Sequence, residues 1–284
     1  MKDFKGRVAV VTGAGSGIGR GIAQRCAQEG MKLVLAGINE DNLHALEAEL
    51  EAEGAAVISV KTDVANQAEV EALAQRTLDA YGAVHLLFNN AGVGAGTTVW
   101  DSNWSDWEWV LGVNLWGVIH GSKVFTPIML AQNDDCHIVN TSSIAGLVAY
   151  HRSAPYHVAK HAVIALSENL SVSLAQRNAR VHVSVLCPGW VQSGIMTSAR
   201  NRPASLLNAA VPLTEKQLAV REAMTAAIES GMPAAEVAEY VFAAIRENKL
   251  YILTHPELTP AIEERMANIL SGSQNYSELL HHVL

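Results

Sequence analysis

Short apolar runs rich in β-branched residues alternate with longer amphipathic segments over the first two thirds of the chain. The short runs predict buried strands at Val8–Thr12, Lys32–Ala36, Ala56–Lys61, Val84–Asn89, His137–Thr141 and Val181–Leu186. The longer segments predict helices at Ile18–Glu29, Glu40–Glu53, Gln67–Tyr81, Trp104–Leu130 and Ala154–Arg177. Strands separated by helices form βαβ units, and right-handed crossovers then give an α/β fold with a doubly wound parallel sheet.

The pattern changes beyond Pro188-Gly189. Residues 193–232 are mostly apolar and small, with prolines as breaks, and we expect them to form a lobe over the binding site. A helix (Pro233–Glu247), a strand (Leu250–Thr254) and a helix near Pro260–Leu270 follow, and residues 271–284 are expected to be a weakly ordered or partner-docked tail. No linker or repeat interrupts the chain, so residues 1–284 are predicted to form a single domain.

Charge and cysteine content indicate which partners and which cellular compartment to expect. The formal net charge of −8 argues against nucleic acid or an anionic membrane as a partner. No stretch approaches the roughly 18 apolar residues of a spanning helix, and no secretory h-region follows Met1. Cys26, Cys136 and Cys187 are odd in number and lie among apolar residues, so reduced thiols and a cytoplasmic location are expected.

A glycine-rich turn, Thr12-Gly13-Ala14-Gly15-Ser16-Gly17-Ile18-Gly19, joins the first strand to the first helix. Glycines let the backbone turn sharply and approach a pyrophosphate, whose charge faces the N–H groups at the start of the helix. The pattern is T-G-x-x-x-G-x-G, which differs from the general G-x-G-x-x-G fingerprint. By itself it is equally consistent with a glycine-rich turn of another α/β protein.

A second motif brings a phenol and an ammonium group together. Tyr156 and Lys160 are spaced i, i+4 at the start of a predicted helix, so they share one face. A neighbouring cation stabilises the phenolate and lowers the tyrosine pKa from about 10 toward neutrality, where it can exchange a proton. Ser143 follows a buried strand, at the carboxyl edge where doubly wound sheets bind ligands.

Together these motifs resemble those of the classical short-chain dehydrogenase/reductase family. The resemblance covers about residues 5–195, and its layout extends to about residue 255. The residues that carry it are Thr12, Gly13, Gly17–Gly19, Asn89-Asn90-Ala91-Gly92, Asn114, Ser143, Tyr156, Lys160 and Pro188-Gly189. The resemblance implies a Rossmann-type sheet and an NAD(P)-dependent oxidoreductase that interconverts a secondary alcohol and a ketone.

The family implies a catalytic tetrad. Tyr156 would act as general acid/base on the substrate oxygen, Lys160 would lower the tyrosine pKa and hold the nicotinamide ribose, and Ser143 would hydrogen-bond the carbonyl. Asn114 would anchor a water that relays the proton through Lys160. The implied cofactor contacts are Gly13, Ser16, Gly17, Ile18, Gly19, Gly37, Asp63, Val64, Asn90, Ala91, Gly92, Tyr156, Lys160, Pro188, Gly189, Val191 and Ser193. Ser193 stands where the family usually has threonine.

Gly37 departs from the family pattern in a way that concerns the cofactor. An acidic residue at this place commonly binds the ribose 2′-hydroxyl. Its absence removes a charge that would repel a 2′-phosphate, yet no Arg or Lys occupies Ser16, Gly37 or Ile38 to attract one. The sequence therefore slightly favours NADP(H), with NAD(H) also accepted.

The substrate side is less well defined. Trp190 follows the Pro188-Gly189 pair and is expected to form a pocket wall, so Ser143, Tyr156 and Trp190 are the predicted substrate contacts. Arg200 and Arg202 are candidates for binding a carboxylate. The lobe and the segment Leu250–Glu257 resemble bacterial members that act on bulky aryl or alicyclic secondary alcohols.

Five tryptophans, Trp100, Trp104, Trp107, Trp109 and Trp116, are interpreted as core and interface packing of one long helix. The helix from Ala154 also has more apolar residues than packing on one face of the sheet requires. They form a stripe of Ala159, Ala162, Val163, Leu166, Leu170 and Leu174. With the family resemblance, this predicts a homodimer or homotetramer. His157 and His161 have helical metal-pair spacing, but no third ligand follows at the spacing of a zinc enzyme, so no metal site is expected.

Three alternatives differ in class. A nicotinamide-sensing protein without turnover needs no tetrad, yet the tetrad is complete. A serine esterase needs G-x-S-x-G, which does not occur in the sequence. A sugar-nucleotide epimerase of the extended form would carry T-G-x-x-G-x-x-G. The first alternative remains the one to test.

Overall fold

Parallel strands form one sheet in the computed structural model, which describes residues 1–150, 153–209 and 214–273. The strands are β1 (Val8–Thr12), β2 (Lys32–Gly37), β3 (Val57–Lys61), β4 (Leu86–Asn89), β5 (Cys136–Thr141), β6 (Val181–Cys187) and β7 (Tyr251–Leu253). Their order is β3-β2-β1-β4-β5-β6-β7, and each neighbouring pair is parallel. The order reverses between β1 and β4, which opens a crevice at the carboxyl edge there. The predicted doubly wound, Rossmann-type sheet is confirmed.

Helices cover both faces of this sheet. They are α1 (Gly17–Gln28), α2 (Glu40–Ala52), α3 (Gln67–Tyr81), α4 (Trp104–Leu111), α5 (Gly117–Gln132), α6 (Ala154–Gln176), α7 (Glu215–Glu229), α8 (Ala234–Glu247) and α9 (Thr259–Ser271). One core unites α1, α2 and α8 with the sheet through fully buried side chains such as Ile22, Leu46 and Phe242. The other unites α3, α5 and α6 through Leu73, Phe125 and Leu174. The two cores hold the carboxyl edges of the strands in register beneath the site.

The long helix predicted over Trp104–Leu130 is interrupted. A π-helical segment, Gly112–Trp116, separates α4 from α5. Such wide turns are rare and occur frequently at functional sites. The segment contains Asn114, whose side chain is fully buried. Periodicity did not reveal the interruption because a single wide turn leaves the apolar pattern on either side unchanged.

The tryptophans fit their interpretation as core and interface packing only in part. Trp109 is buried at 3% exposure, whereas Trp100, Trp104 and Trp116 are 81%, 88% and 53% exposed. These three side chains are therefore not part of the core, and their place in an interface stays a prediction. Trp100 and Trp104 lie before and at the start of α4, and Trp116 ends the π-helical segment, where it packs against His120 and lines the cleft.

The apolar stripe of α6 packs mainly within its own chain. Ala159, Val163 and Leu174 are buried in the core, and Leu166 and Leu170 pack against it. The stripe therefore does not supply a free surface for a second copy. No helix within the described ranges is long and apolar enough to cross a membrane. Residues 274–284 of the predicted tail lie outside the described residues.

Candidate active site

The glycine-rich turn forms a cradle at the amino end of α1. Gly13 and Gly17 have left-handed φ angles of +66° and +52°. A Cβ on Gly13 would lie 2.8 Å from Ala91 Cα, and one on Gly19 would lie 2.3 Å from the Gly13 carbonyl oxygen. Side chains here would fill the space or push the loop away from β4. The open backbone and the helix N-terminus fit the pyrophosphate of a dinucleotide.

Thr12 holds the loop against the end of β4. Its hydroxyl donates to the Phe88 carbonyl and accepts from the backbone N–H groups of Asn90 and Ala91, at 3.1, 2.9 and 3.1 Å. The Asn90 side chain donates to the Thr12 carbonyl at 3.1 Å and accepts from the Thr141 hydroxyl at 3.4 Å. These bonds join β1, β4 and β5 at the floor of the cleft.

The far end of the cleft is lined by the ends of β2 and β3. Gly37 has ordinary backbone geometry, and a Cβ there would make only ordinary contacts, with the Leu43 side chain at 3.7 Å and Gly13 Cα at 4.0 Å. Asp63 and Val64 follow β3, and the Asp63 carboxylate accepts from the Ala65 N–H at 3.0 Å. Ile38, next to Gly37, is 40% exposed. This end therefore has room for a larger side chain at position 37.

Tyr156, Ser143 and Lys160 converge at the opposite end. The Tyr156 phenol is hydrogen-bonded to the Ser143 side chain. The Ser143 hydroxyl accepts from the Ala145 N–H at 3.1 Å and contacts the Pro188 carbonyl at 3.4 Å. Lys160 Nζ lies 5.4 Å from the Tyr156 ring centroid and donates to the Thr141 carbonyl at 2.8 Å. A phenol, a hydroxyl and an amine thus meet where the carboxyl ends of β5 and β6 adjoin the cleft.

Burial sets the proton affinities of this group. Desolvation raises the pKa of Tyr156 above its ordinary value, while its hydrogen bond with Ser143 opposes that rise. Desolvation lowers the pKa of Lys160 to about 8. Lys160 is therefore an ammonium ion at neutral pH, though less firmly so than an exposed lysine. The lowering of the Tyr156 pKa that the sequence predicted from a neighbouring cation is therefore not found, because burial outweighs it.

Asn114 is fixed by the π-helical segment. Its Oδ1 accepts from the Val93 N–H, and its Nδ2 donates to the Val93 carbonyl, both at 2.8 Å. A Cβ added to Gly92 would lie 3.6 Å from Asn114 Oδ1 and 3.8 Å from Lys160 Nζ. Asn114 thus holds the segment after Gly92 and lies behind the lysine, on the inner side of the cleft.

The segment after β6 closes the cleft from above. The Ser193 side chain faces the phosphate loop, because a Cβ on Gly17 would lie 3.0 Å from the Ser193 Cβ. The Trp190 carbonyl accepts from the Met232 N–H at 3.0 Å, and the Gln192 N–H donates back to Met232 at the same distance. These bonds tie the segment to the turn before α8.

The lobe lines the remaining wall with apolar side chains. The cleft has a volume of about 890 Å³. Its apolar lining beside the Tyr156 end includes Val93, Trp109, Ile144, Trp190, Ile195, Met196, Leu206, Met224 and Ile228. Arg200 also lines the cleft, and its guanidinium donates to the Gly194 carbonyl at 3.0 Å and to Thr197 Oγ1 at 2.7 Å.

Arg202 was predicted as a possible binding residue for a substrate carboxylate, but the structure pairs it with Asp106 instead. Its guanidinium donates to Asp106 Oδ1 at 2.7 Å and to the Leu206 carbonyl at 2.6 Å, and it lies over the Trp109 ring at 4.9 Å. The side chains of Arg202 and Asp106 are only 7% and 6% exposed. A buried cation paired in this way fastens the lobe to α4 and is not free for a ligand.

Nearly all the site residues expected from the sequence line this one cleft. They are Gly13, Ser16, Gly17, Ile18, Gly37, Asp63, Val64, Asn90, Ala91, Gly92, Ser143, Tyr156, Lys160, Pro188, Gly189, Trp190, Val191 and Ser193. Gly19 and Asn114 lie behind its wall instead. Within the described ranges, no three His, Cys, Asp or Glu side chains are grouped to hold a metal ion.

Comparison with known proteins identifies the family. The family model of the short chain dehydrogenases matches residues 7–204. The CLA biosynthesis dehydrogenase/reductase of Lactiplantibacillus plantarum is 34% identical over 273 residues, which cover 95% of this chain and 96% of that protein. The C alpha-dehydrogenase of a Sphingobium species is 31% identical and covers 96% of this chain and 88% of its own length. The chain belongs to the short-chain dehydrogenase/reductase family.

A solved structure is similar over almost the whole chain. It is a short-chain dehydrogenase/reductase from Burkholderia phymatum in complex with NAD, with 48% identity, a TM-score of 0.94, and coverage of 98% of this chain and 99% of that one. The protein is therefore an oxidoreductase of this family, and its cofactor is a nicotinamide dinucleotide.

The sequence reasoning missed several residues of the site. Tyr150 lines the cleft beside Tyr156, and Trp109 and Met224 reach it from α4 and α7. No motif marks them, because their place depends on how the lobe folds back over the sheet. His255 contacts the Pro188–Trp190 segment. Its signal was the position of His255-Pro256 directly after the last predicted strand, Leu250–Thr254.

Proposed function

We propose that the protein interconverts a secondary alcohol and a ketone on a bulky hydrophobic substrate, aryl or alicyclic in type. The main support is that the Tyr156 phenol, the Ser143 hydroxyl and the Lys160 ammonium meet at one end of the cleft that the glycine-rich turn also lines. Two hydroxyls aimed at the same space can hold one carbonyl oxygen. The apolar wall of the lobe favours a substrate with few charges.

Tyr156 is the general acid/base in this proposal. In reduction its phenol gives a proton to the substrate oxygen, and in oxidation the phenolate takes that proton back. Ser143 hydrogen-bonds the same oxygen and stabilises the negative charge that develops there. When bound, the nicotinamide dinucleotide gives or takes the hydride. Because oxidation needs the phenolate, alkaline pH favours that direction.

Lys160 and Asn114 support the proton transfer. An ammonium group has three donors, and the Thr141 carbonyl engages one of them, which leaves donors for the nicotinamide ribose. Asn114 Oδ1 has a second lone pair beyond its bond with the Val93 N–H, and it faces the same side as Lys160. A water held there would connect Lys160 to solvent.

For the cofactor we propose that both forms bind and that NAD(H) is preferred. Gly37 alone slightly favours NADP(H), since it cannot repel a 2′-phosphate. Among the described residues lining the cleft, however, the only cations are Lys160 and Arg200, which donate to Thr141 and Gly194 and not to the end of β2. A buried phosphate without a paired cation contributes little binding free energy. The NAD complex of the Burkholderia phymatum protein supports the same choice.

We also propose a cytoplasmic homodimer or homotetramer. The three cysteines are free and buried, which suits a reducing compartment. Exposed apolar side chains on α6 and near the start of α4 favour association between copies.

Kinetics with both cofactors against hydrophobic ketones and alcohols test the activity. The Tyr156→Phe variant should lose about 10³-fold in kcat, because the phenolic proton acts only in the chemical step. Its affinity for NADH, measured by fluorescence titration, should remain within about threefold. Tyr150→Phe is the matched control, since it removes a second phenol of the same cleft, and it should keep kcat within about tenfold.

Two results would count against the assignment. Activity of Tyr156→Phe within about tenfold of wild type would show that another group moves the proton. Absence of turnover on the whole panel, with nicotinamide binding intact, would favour the sensing protein without catalysis.

A further inference from the structure

One peptide unit links Ser143 to a histidine on the far side of β6. The Pro188 carbonyl accepts from the Ile144 N–H at 2.9 Å and lies 3.4 Å from Ser143 Oγ. The N–H of the same peptide unit, from Gly189, donates to Nδ1 of His255 at 3.1 Å. Because a peptide is planar, fixing the N–H on one side fixes the direction of the carbonyl on the other.

His255 binds the next peptide carbonyl as well. Its Nε2 lies 3.1 Å from the Trp190 carbonyl oxygen. That oxygen can only accept, so Nε2 carries the hydrogen, and the Gly189 N–H can only donate, so Nδ1 is bare. Two independent backbone groups thus require the same neutral tautomer. The Thr254 hydroxyl, fully buried, lies 2.7 Å from Nδ1 and completes the contacts.

The packing around Gly189 leaves the turn little freedom. A Cβ at this residue would lie 2.9 Å from His255 Cγ and 3.0 Å from Leu258 Cδ1. The imidazole is therefore seated directly on the backbone of the turn. His255 follows β7, whose last residue, Leu253, pairs with Cys187 of β6. The edge of the sheet thus brings the imidazole alongside the segment that leads to Trp190.

We propose that His255 is a positioning residue for the proposed alcohol–ketone reaction. Through the Pro188–Gly189 peptide it sets the direction of the carbonyl that contacts Ser143, and through the Trp190 carbonyl it holds the wall of the substrate pocket. The inference rests on the proposed function for the role of Ser143. His255 contacts neither the Tyr156 phenol nor the phosphate loop, and it reaches the expected cofactor contacts only through the Gly189 N–H. We therefore expect a larger effect on turnover than on nicotinamide affinity.

Three substitutions separate the two hydrogen bonds. His255→Asn keeps an acceptor near the place of Nδ1, His255→Gln keeps a donor near the place of Nε2, and His255→Leu removes both. We expect kcat of the Leu variant to fall by at least about tenfold and that of the Asn variant to stay within about threefold of wild type. The Gln variant should lie between them. The Kd for NADH should stay within about threefold in all three.

The matched control is His137→Leu. His137 is also buried and hydrogen-bonded, to Ser184 Oγ at 2.8 Å, but it lies at the amino end of β5, away from the cleft. This variant should lose stability without losing kcat. If the three His255 variants had equal kcat values, or if kcat simply followed Tm across all four variants, the positioning role would be overturned.

Hydrogen exchange gives a reading that does not depend on turnover. In a peptide spanning residues 187–192, the Gly189 amide should be protected in wild type and in His255→Asn, and should exchange faster in His255→Leu. Unchanged exchange in the Leu variant would also refute the inference. The proposed function fails separately, through an active Tyr156→Phe variant or through a wild type inactive on every substrate.

Discussion

Lys160 is a cation held where little water reaches it. Burial lowers the pKa of Lys160 from 10.5 to about 8, a difference worth about 3 kcal/mol in favour of the neutral form. Below pH 8 the lysine is charged in both the folded and the unfolded chain, so the folded state bears the whole desolvation penalty. Between pH 8 and 10.5 only the unfolded chain holds the extra proton, so the penalty is relieved as the pH rises.

Replacement of Lys160 by methionine should therefore stabilise the protein while abolishing activity. The loss of the hydrogen bond to the Thr141 carbonyl offsets roughly 1 kcal/mol of the gain. We expect the free energy of unfolding at pH 7 to rise by about 2 kcal/mol and the difference from wild type to shrink toward pH 10. Urea unfolding at several pH values measures this. Lys5→Met, at an exposed lysine, should change stability by less than about 0.5 kcal/mol.

A Lys160→Met variant less stable than wild type at pH 7 would contradict the argument. It would mean that the contacts of the ammonium group stabilise the folded protein by more than its burial destabilises it.

Two neighbouring residues, Gly37 and Ile38, test the proposed cofactor preference. Gly37→Asp has room for its side chain, since a Cβ comes no nearer than 3.7 Å to Leu43 and 4.0 Å to Gly13, and its charge should exclude the 2′-phosphate. Ile38→Arg, at a 40% exposed position, should supply the missing cation. The ratio of kcat/KM for NADPH to that for NADH should fall at least about tenfold in the first variant and rise about tenfold in the second.

Both substitutions are needed to interpret the outcome. If Gly37→Asp left the ratio unchanged while wild type strongly preferred NADH, residues other than Gly37 would determine the choice. A wild type that prefers NADPH would instead support the preference inferred from the sequence alone.

Motif residues and long-range contacts differ in what a sequence reveals. Tyr156 and Lys160 are four residues apart, so helix geometry alone predicts that they share a face. Arg202 and Asp106 are far apart in sequence, and nothing local shows that they form a buried pair. The same is true of His255 and Gly189, which meet only because β6 and β7 are neighbours.

At the scale of secondary structure, the π-helical segment is the feature that the site uses most directly. It delivers the Asn114 amide to the Val93 backbone, where both of its polar groups are paired. Asn114→Leu would leave two buried backbone groups without partners, and we expect it to lower the free energy of unfolding by about 3 kcal/mol. Thr126→Val is the control on the neighbouring helix, because the Thr126 hydroxyl is buried and has no hydrogen-bond partner within the described chain.

Asn114→Asp tests the same contacts through pH. A protonated carboxyl group can accept from the Val93 N–H and donate to the Val93 carbonyl, as the amide does. An ionised one places a negative oxygen against that carbonyl. The stability of this variant should therefore approach that of wild type as the pH falls, relative to wild type measured at the same pH. A gap that stayed constant from pH 7 to pH 5 would show that the Val93 contacts are not the cause.

The strands and most helices were predictable because their apolar residues recur regularly at the spacing of a strand or a helix. The prediction for α3 was correct at both ends, and β1 likewise. β4 begins at Leu86 and not at Val84, since a strand begins where its neighbour pairs, and the local composition does not contain that information. The lobe was predicted only as a region. Its 3₁₀ turns at Ile195–Asn201 and Ala204–Leu206 are held by contacts such as Arg202 with Asp106 and have no period of their own.

At the scale of the whole molecule, the outer face of α6 carries no charge. Val158, Ala162, Ala165, Asn169 and Val172 recur at intervals of four and three residues. All are exposed except Ala162, which also belongs to the predicted stripe and is half-buried. Val158 and Val172 are 48% and 58% exposed. A solvent-facing helix usually carries charged residues there, and the net charge of −8 shows that the chain does not lack them. This face, and not the buried stripe of α6, now supports the prediction of association.

Ala165→Arg should disrupt that association, because in a two-fold contact each copy would bring its new cation against the same face of the other. Sedimentation velocity at micromolar concentration should show a dimer or tetramer for wild type and a smaller species for this variant. Gln75→Arg adds the same side chain to an exposed position on α3 and should sediment as wild type does. A monomeric wild type would refute association as such. An Ala165→Arg variant that keeps its size would refute only the choice of α6, and it would direct attention to the exposed Trp100 and Trp104 at the start of α4.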